Sequence, residues 1–290
     1  MRGRGEPHPR ARRPRAARAR GVLPLLAGAA LLSGCISEQR EMALGDQIAA
    51  HINAQVPLVQ DGPLNLYVND LGRMIARHSE RPELSYRFYI IDTQAMNAFA
   101  LPGGHVYVNR GLIERTRNVS ELAGVLAHEI GHVAARHGAK NLQRRMRTGS
   151  MASFLYQMIL NREPILDQEA LGVGGDLWFA ANSRRDEREA DRLAVGYLVQ
   201  SGVDPKGMVS LFEALIEEER VHPEGEAAGW FSTHPATAER LRFTRRHIGE
   251  VLPVRGPALA IDNASYPQFL RRLRTLPPAP MLLPVPHPGP

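Results

Sequence analysis

Residues 126 to 137 read LAHEIGHVAARH, and no other stretch restricts the chain as tightly. Histidines four residues apart lie about 40° apart around a helix, so His128 and His132 share one face. With Glu129 beside the first, they form the HExxH pattern, in which the two imidazoles bind zinc and the glutamate acts as base. Signals for the ends of such a helix are present. Asn118 can cap its start, with Glu121 three residues on to complete a capping box, and Gly138 can end it. A helix continuous over 119–137 carries His137 to the side opposite His128, out of reach of the same ion.

Two imidazoles leave a site incomplete. The metzincin pattern needs glycine and histidine at 135 and 138, where this chain has Ala135 and Gly138. The next ligand must come from a distant segment, and SRRDEREADRLAVGYL (183–198) offers four carboxylates. On the helix this segment predicts, Ala190, Leu193, Ala194, Tyr197 and Leu198 define the buried side. Glu187 sits about 50° from its centre, whereas Glu189 sits about 110° away and faces outward. Asp186 has a similar angle on the other edge, so helix geometry favours Glu187 without excluding Asp186. Glu187 and Asp191, four apart, rise from one face as a ligand and as a carboxylate that fixes a ligand histidine's tautomer.

Charge needs care. The chain carries a formal +6, but residues 1–20 hold eight arginines and one glutamate, and residues 21–34 none of either sign. From Cys35 onward the chain is close to neutral, so its basicity implies no nucleic-acid partner. The basic leader precedes GVLPLLAGAALLSG, fourteen uncharged residues. That is short of the roughly 20 needed to span a bilayer and fits the core of a signal peptide. Leu32-Ser33-Gly34-Cys35 is similar to the bacterial lipobox, and Cys35 is the only cysteine, with no disulfide partner in the chain. The expectation is a signal peptide over 1–34 and a lipid anchor on Cys35.

The remaining sequence reads as helices, a small sheet, then helices again: an α+β domain, mainly helical. Helices are expected over 38–54 and 64–78, the second with Leu64, Val68, Leu71 and Ile75 at helical spacing. LSYRFYII (84–91) alternates like a strand, and AFAL and HVYVN flank Pro102-Gly103-Gly104 as a tight strand pair. We expect one domain over 35–250, an extension with a short helix over 251–276, and a proline-rich, disordered tail over 277–290. No repeat with a 20–50-residue period is evident. His105 reads as a structural histidine, and Trp178 and Phe179 as core.

Four motifs then carry a resemblance: NAFALPGGHVYVNRGL (97–112), HEIGH (128–132), SRRDEREAD (183–191) and STHPATAER (232–240). In this order they resemble the membrane-associated gluzincin zinc peptidases, the family of HtpX, the CaaX prenyl protease, BepA and LoiP. The likeness runs from about Glu41 to Arg246. MASFLYQMIL, the longest apolar run after the leader, is about half a membrane span, so the branch most similar is that of LoiP-like outer-membrane lipoproteins. The resemblance implies a zincin-like domain with its sheet beside the active-site helix and one Zn²⁺ per chain on His128, His132 and Glu187. It settles Glu187 over Asp186 and pairs it with Asp191. It gives Glu129 the role of general base and makes His234 a fourth ligand that blocks water or an oxyanion donor. Arg240 is expected to help at the oxyanion, and Asn97 and Phe99, in an edge strand, to meet an extended substrate. The implied function is endopeptidase quality control at the periplasmic face of the outer membrane, on unfolded or misassembled envelope proteins and beside the outer-membrane assembly machinery. A chaperone-like lipoprotein with little proteolysis is the alternative.

Overall fold

In the computed structural model, which describes residues 37–147, 182–222, 230, 233–234, 238–252 and 258–280, each early helix begins at a side-chain cap. Helix α1 (Glu38–Gln55) starts where the Ser37 hydroxyl accepts from the Arg40 N–H. Helix α2 (Gly62–Ala76) starts where Asp61 accepts from the Leu64 N–H. It begins two residues ahead of the apolar pattern because Asp61 caps it and Pro63 needs no hydrogen-bond partner in a first turn.

Strands β1 (Arg87–Ile91), β2 (Ala98–Leu101) and β3 (His105–Asn109) form one mixed sheet in the order β1-β3-β2. β1 runs parallel to β3, and β2 antiparallel, so β2 is an edge. The β2–β3 turn puts Gly103 and Gly104 at φ 83° and 96°, a region closed to most side chains. Alternation divides the sheet residues between two faces. Phe88, Ile90, Ala98, Val106 and Val108 face the main core with α2 and the HExxH helix, whereas Ile91, Phe99, Leu101 and Tyr107 face α1.

After the short α3 (Arg110–Arg115) comes α4 (Val119–Ala134), the HExxH helix. Every residue of α4 from Val119 to Val133 is buried. It is enclosed by α2, the sheet, α6 (Arg184–Gln200) and α7 (Lys206–Val221). Helix α8 (Ala238–Val251) lies against α6 and α7. A Cβ on Gly131 of α4 would lie 2.9 Å from the Ala190 carbonyl oxygen of α6, so that glycine sets how closely the two helices approach. Helix α9 (Tyr266–Arg274) contributes Tyr266, Phe269, Leu270 and Leu273 to the same core. Phe269 stacks on Tyr67 with ring centroids 4.4 Å apart.

The α+β, mainly helical class is thus the observed one. The ends of α4 depart from expectation. Asn118 does accept from the Glu121 N–H, but the Glu121 carboxylate reaches the Arg117 N–H at 2.7 Å instead of closing the box on Asn118. The helix does not run to His137. It stops at Ala134, Arg136 turns to φ 58°, and α5 (His137–Arg147) starts afresh with Gly138 inside it. A side-chain clamp holds that turn: Arg136 Nε donates to Glu41 Oε2 at 2.6 Å, and the buried Glu41 also accepts from Arg81 at 2.8 Å. The leader with Cys35, the MASFLYQMIL stretch, Trp178, Phe179 and positions 281–290 of the tail lie outside the described residues. Among the described residues, no helix is long and apolar enough to cross a membrane.

Candidate metal centre

One turn of α4 brings His128 and His132 together, with their Nε2 atoms 3.1 Å apart. Glu187, in the first turn of α6, reaches both: Oε2 is 3.4 Å from His128 Nε2 and Oε1 is 3.3 Å from His132 Nε2. His234 adds Nδ1 at 3.3 Å from His128 Nε2 and 3.2 Å from Glu187 Oε1. A tetrahedral ion with bonds of about 2.0–2.1 Å requires ligand atoms about 3.3 Å apart. With Glu187 Oε1 as its donor, four of the six edges run from 3.1 to 3.3 Å, close to that spacing, and Glu187 Oε2 lies 3.4 Å from His128 Nε2. Its donors are three buried imidazoles and a buried carboxylate, a set suited to such an ion.

The surrounding charges are arranged to favour that set. His128 Nδ1 lies 2.9 Å from Asp191 Oδ1, one helical turn beyond Glu187 on α6. Asp191 is gripped by Arg240 of α8 at 2.6 and 2.8 Å and accepts from Thr244 at 3.2 Å. Arg240 also places Nη1 2.6 Å from Glu187 Oε2 and stacks over the Phe212 ring. Burial and Arg240 both oppose a charge on His128, but Asp191 and Glu187 outweigh them and lift its pKa to about 9. Burial, only partly offset by Glu187, lowers His132 to about 3, so that imidazole stays neutral with a lone pair free. Burial also opposes ionisation of Glu187, yet Arg240 and His234 hold it well below the usual carboxylate range.

Glu129 is set apart from the ligands. It is 1% exposed, and its Oε1 makes no hydrogen bond, with His234 Nε2 nearest at 3.4 Å. Burial raises its pKa above the ordinary glutamate value. A buried carboxylate with a raised pKa, beside a cation site, has the properties of a general base.

The other expected residues fall into two groups. Asn97 comes near the centre through Thr233, whose hydroxyl lies 3.3 Å from Asn97 Oδ1, and Asn97 also accepts from the Ala98 N–H. His234 meets the edge strand directly, with Nε2 3.3 Å from the Ala98 carbonyl oxygen. Phe99 points the other way, stacking on Tyr107 with centroids 4.8 Å apart on the α1 face of the sheet. Its side chain therefore does not join the site, although its backbone remains in the strand that does. Arg240 is fully engaged beneath Asp191 and Glu187, which makes it a positioning group for the ligands. His105 is buried between Asp46 and Tyr89, far from the ligands in function.

Three participants were not expected from the sequence. Thr244 follows Arg240 by four residues, a spacing that a helical wheel of α8 reveals once Arg240 is placed. Trp230 stacks on His234 with centroids 4.6 Å apart, and nothing in the neighbouring sequence signals that. His137 Nδ1 lies 2.9 Å from His132 Nδ1 because the helix breaks between them. Glu189 does not approach the ligands. Its carboxylate is 39% exposed and lies 3.5 Å from His137 Nε2.

A buried HExxH helix completed by a glutamate from a second helix defines the gluzincin class of metallopeptidase centres. The chain belongs to peptidase family M48, whose profile matches residues 64–248. It is similar to the beta-barrel assembly-enhancing protease of Yersinia pestis, 30% identical over 224 residues, 75% of this chain and 46% of that protein. It is also similar to the metalloprotease LoiP of Escherichia coli K12, 30% identical over 218 residues, 72% of this chain and 81% of that one. The mitochondrial metalloendopeptidase OMA1 of Schizosaccharomyces pombe is 33% identical over 188 residues, 65% of this chain and 54% of OMA1. The chain spans about half the length of the assembly-enhancing proteases it matches.

Proposed function

We propose that the protein is a zinc-dependent endopeptidase of the bacterial envelope, with His128, His132 and Glu187 as ligands. The observation that carries this reading is the cluster of buried donor atoms close to tetrahedral spacing, with the buried Glu129 carboxylate, its Oε1 unbonded, beside it. Zinc bound there supplies a Lewis acid that acidifies water and polarises a scissile carbonyl. Glu129 accepts the proton of the attacking water and returns it to the leaving amide nitrogen, a sequence suited to its raised pKa. Asp191 holds His128 in the tautomer with Nδ1–H, leaving Nε2 as donor, and Arg240 keeps both α6 carboxylates ionised and fixed.

Substrate binding follows from the sheet. An extended peptide added to an edge strand gains backbone hydrogen bonds that are indifferent to sequence, as an enzyme acting on unfolded chains requires. β2 is such an edge, beside α4, and the Ala98 carbonyl faces His234 and not β3. His234 is proposed as the gate. Its Nδ1, 3.3 Å from His128 Nε2, would serve as a further ligand while its Nε2 engages the Ala98 carbonyl, so that one side chain would shut both the metal and the substrate strand. Its release frees both together.

The substrates proposed are unfolded or misassembled envelope proteins, near the outer-membrane assembly machinery, with a lipid on Cys35 holding the enzyme at the outer membrane. Support comes from the lipobox-like Leu32–Cys35 and from the likeness to an assembly-enhancing protease and LoiP. A chaperone acting without hydrolysis has no use for Glu129, which is costly to bury uncompensated. The test is to incubate the protein with a reduced, alkylated polypeptide. Cleavage should stop on treatment with a chelator and return with stoichiometric zinc. Cleavage that continues unchanged in the metal-stripped protein would rule the reading out.

A further inference from the structure

We propose that His137 is a positioning residue for the metal centre: it accepts the Nδ1–H of His132 and so fixes the orientation of that imidazole. The inference rests on the metal-centre reading above and extends it to a residue that helical geometry excludes.

The bonding follows from where the protons must lie. His132 presents Nε2 to the ligand cluster, 3.1 Å from His128 Nε2 and 3.3 Å from Glu187 Oε1. A neutral imidazole that ligates through Nε2 carries its proton on Nδ1, and that N–H needs an acceptor. The atom facing it at 2.9 Å is His137 Nδ1. His137 must then be unprotonated at Nδ1 and protonated at Nε2. Its Nε2 lies near the acidic edge of α6, 3.5 Å from Glu189 Oε2 and 3.7 Å from Asp186 Oδ1, distances of charge proximity and not of a hydrogen bond. His137 itself is 1% exposed, so water does not compete for the bond to His132.

The two ligand histidines are therefore supported in different ways. His128 leans on a carboxylate, Asp191, while His132 leans on a second imidazole. The helix break is what makes the second arrangement possible. On an unbroken helix His137 would sit on the face opposite His128. Arg136 instead adopts φ 58°, the only positive φ of a non-glycine among the described residues, and swings His137 back over His132. A bulky residue pays for that conformation unless its surroundings hold it. Here the buried Glu41 grips Arg136 at 2.6 Å. Arg81 grips Glu41 in turn and reaches the Val133 carbonyl at 3.4 Å. Helix α1 thus fixes the turn that lets His137 orient a ligand.

The test compares His137→Leu, which fills space without an acceptor, with His137→Asn, whose Oδ1 can occupy the place of Nδ1. Zinc affinity is measured on the full chain by competition with a chromophoric chelator, alongside circular dichroism of the metal-free protein. His137→Leu should bind zinc about 10–100-fold more weakly, the usual loss when an outer hydrogen-bond partner of a ligand histidine is removed. His137→Asn should restore most of that affinity. Equal affinity in His137→Leu and the parent overturns the proposal, and so does an Asn variant as weak as Leu. His132→Ala is measured in parallel: if it too binds zinc like the parent, the metal-centre reading itself fails. Should the Leu variant not fold, nitrogen-15 NMR of the zinc-loaded parent decides. Protonated Nδ1 on His132 with protonated Nε2 on His137 is expected, and protonated Nδ1 on His137 contradicts the proposal.

Discussion

In the function proposed above, His234 decides whether the enzyme rests open or shut. An imidazole that both ligates the metal and holds the edge-strand carbonyl blocks turnover, so His234→Ala should raise cleavage of unfolded substrates and of the protein itself. A loss of about 100-fold or more, the size expected for a missing oxyanion donor, would assign it a catalytic role instead. His128 makes a second prediction. With its pKa lifted to about 9, chiefly by Asp191 and Glu187 against burial and Arg240, it holds a proton at pH 7 in the metal-free protein. Zinc must expel that proton, so affinity should rise roughly tenfold per pH unit towards pH 9 and then level off. His132, already neutral, adds nothing to that slope. Calorimetry in buffers of different ionisation enthalpy should register the released proton at pH 7 and none well above pH 9. No released proton at pH 7 would show that Asp191 and Glu187 do not hold one there.

Among the elements, the approach of α4 to α6 matters most, because it brings Glu187 to the two histidines. Gly131, between the histidines, lies where a Cβ would collide with the Ala190 backbone. Gly131→Ala should cost about 1–3 kcal/mol of stability, as overpacking does, and weaken zinc binding by displacing Glu187. Unchanged affinity would mean that α6 can shift without moving its ligand. Much of this level is written in the sequence. The period-3.6 pattern, Asn118 and the acidic wheel of 183–198 put His128 and His132 on one helix face and Glu187 and Asp191 on another, while the choice of Glu187 over Asp186 comes from the family resemblance. Strand alternation places β1, β2 and β3. What local pattern could not supply was the break at Arg136, because a long-range clamp from Glu41 and Arg81 holds it and Gly138 two residues later looks like the natural stop. Phe99 illustrates the same limit. Its membership of an edge strand is legible, but which face of the sheet meets α1 depends on how distant helices pack.

At the scale of the whole molecule, the proposed lipid on Cys35 and helix α1 are joined by only two residues. In α1, Glu38 and Glu41 bind Arg81, and Glu41 also binds Arg136. Cys35→Ser should release the protein from membrane fractions while leaving zinc content unchanged. A protein that resists carbonate extraction after this change would require a different anchor.

If one metal ion and one buried carboxylate together hydrolyse peptide bonds, zinc content and cleavage of an unfolded polypeptide, measured on the same preparations of the parent and Glu129→Gln, must part company. The account predicts about one zinc per chain in both, as for a mononuclear site, with cleavage by the parent only. Parental cleavage rates in Glu129→Gln, or a parent that cleaves without binding zinc, would contradict it.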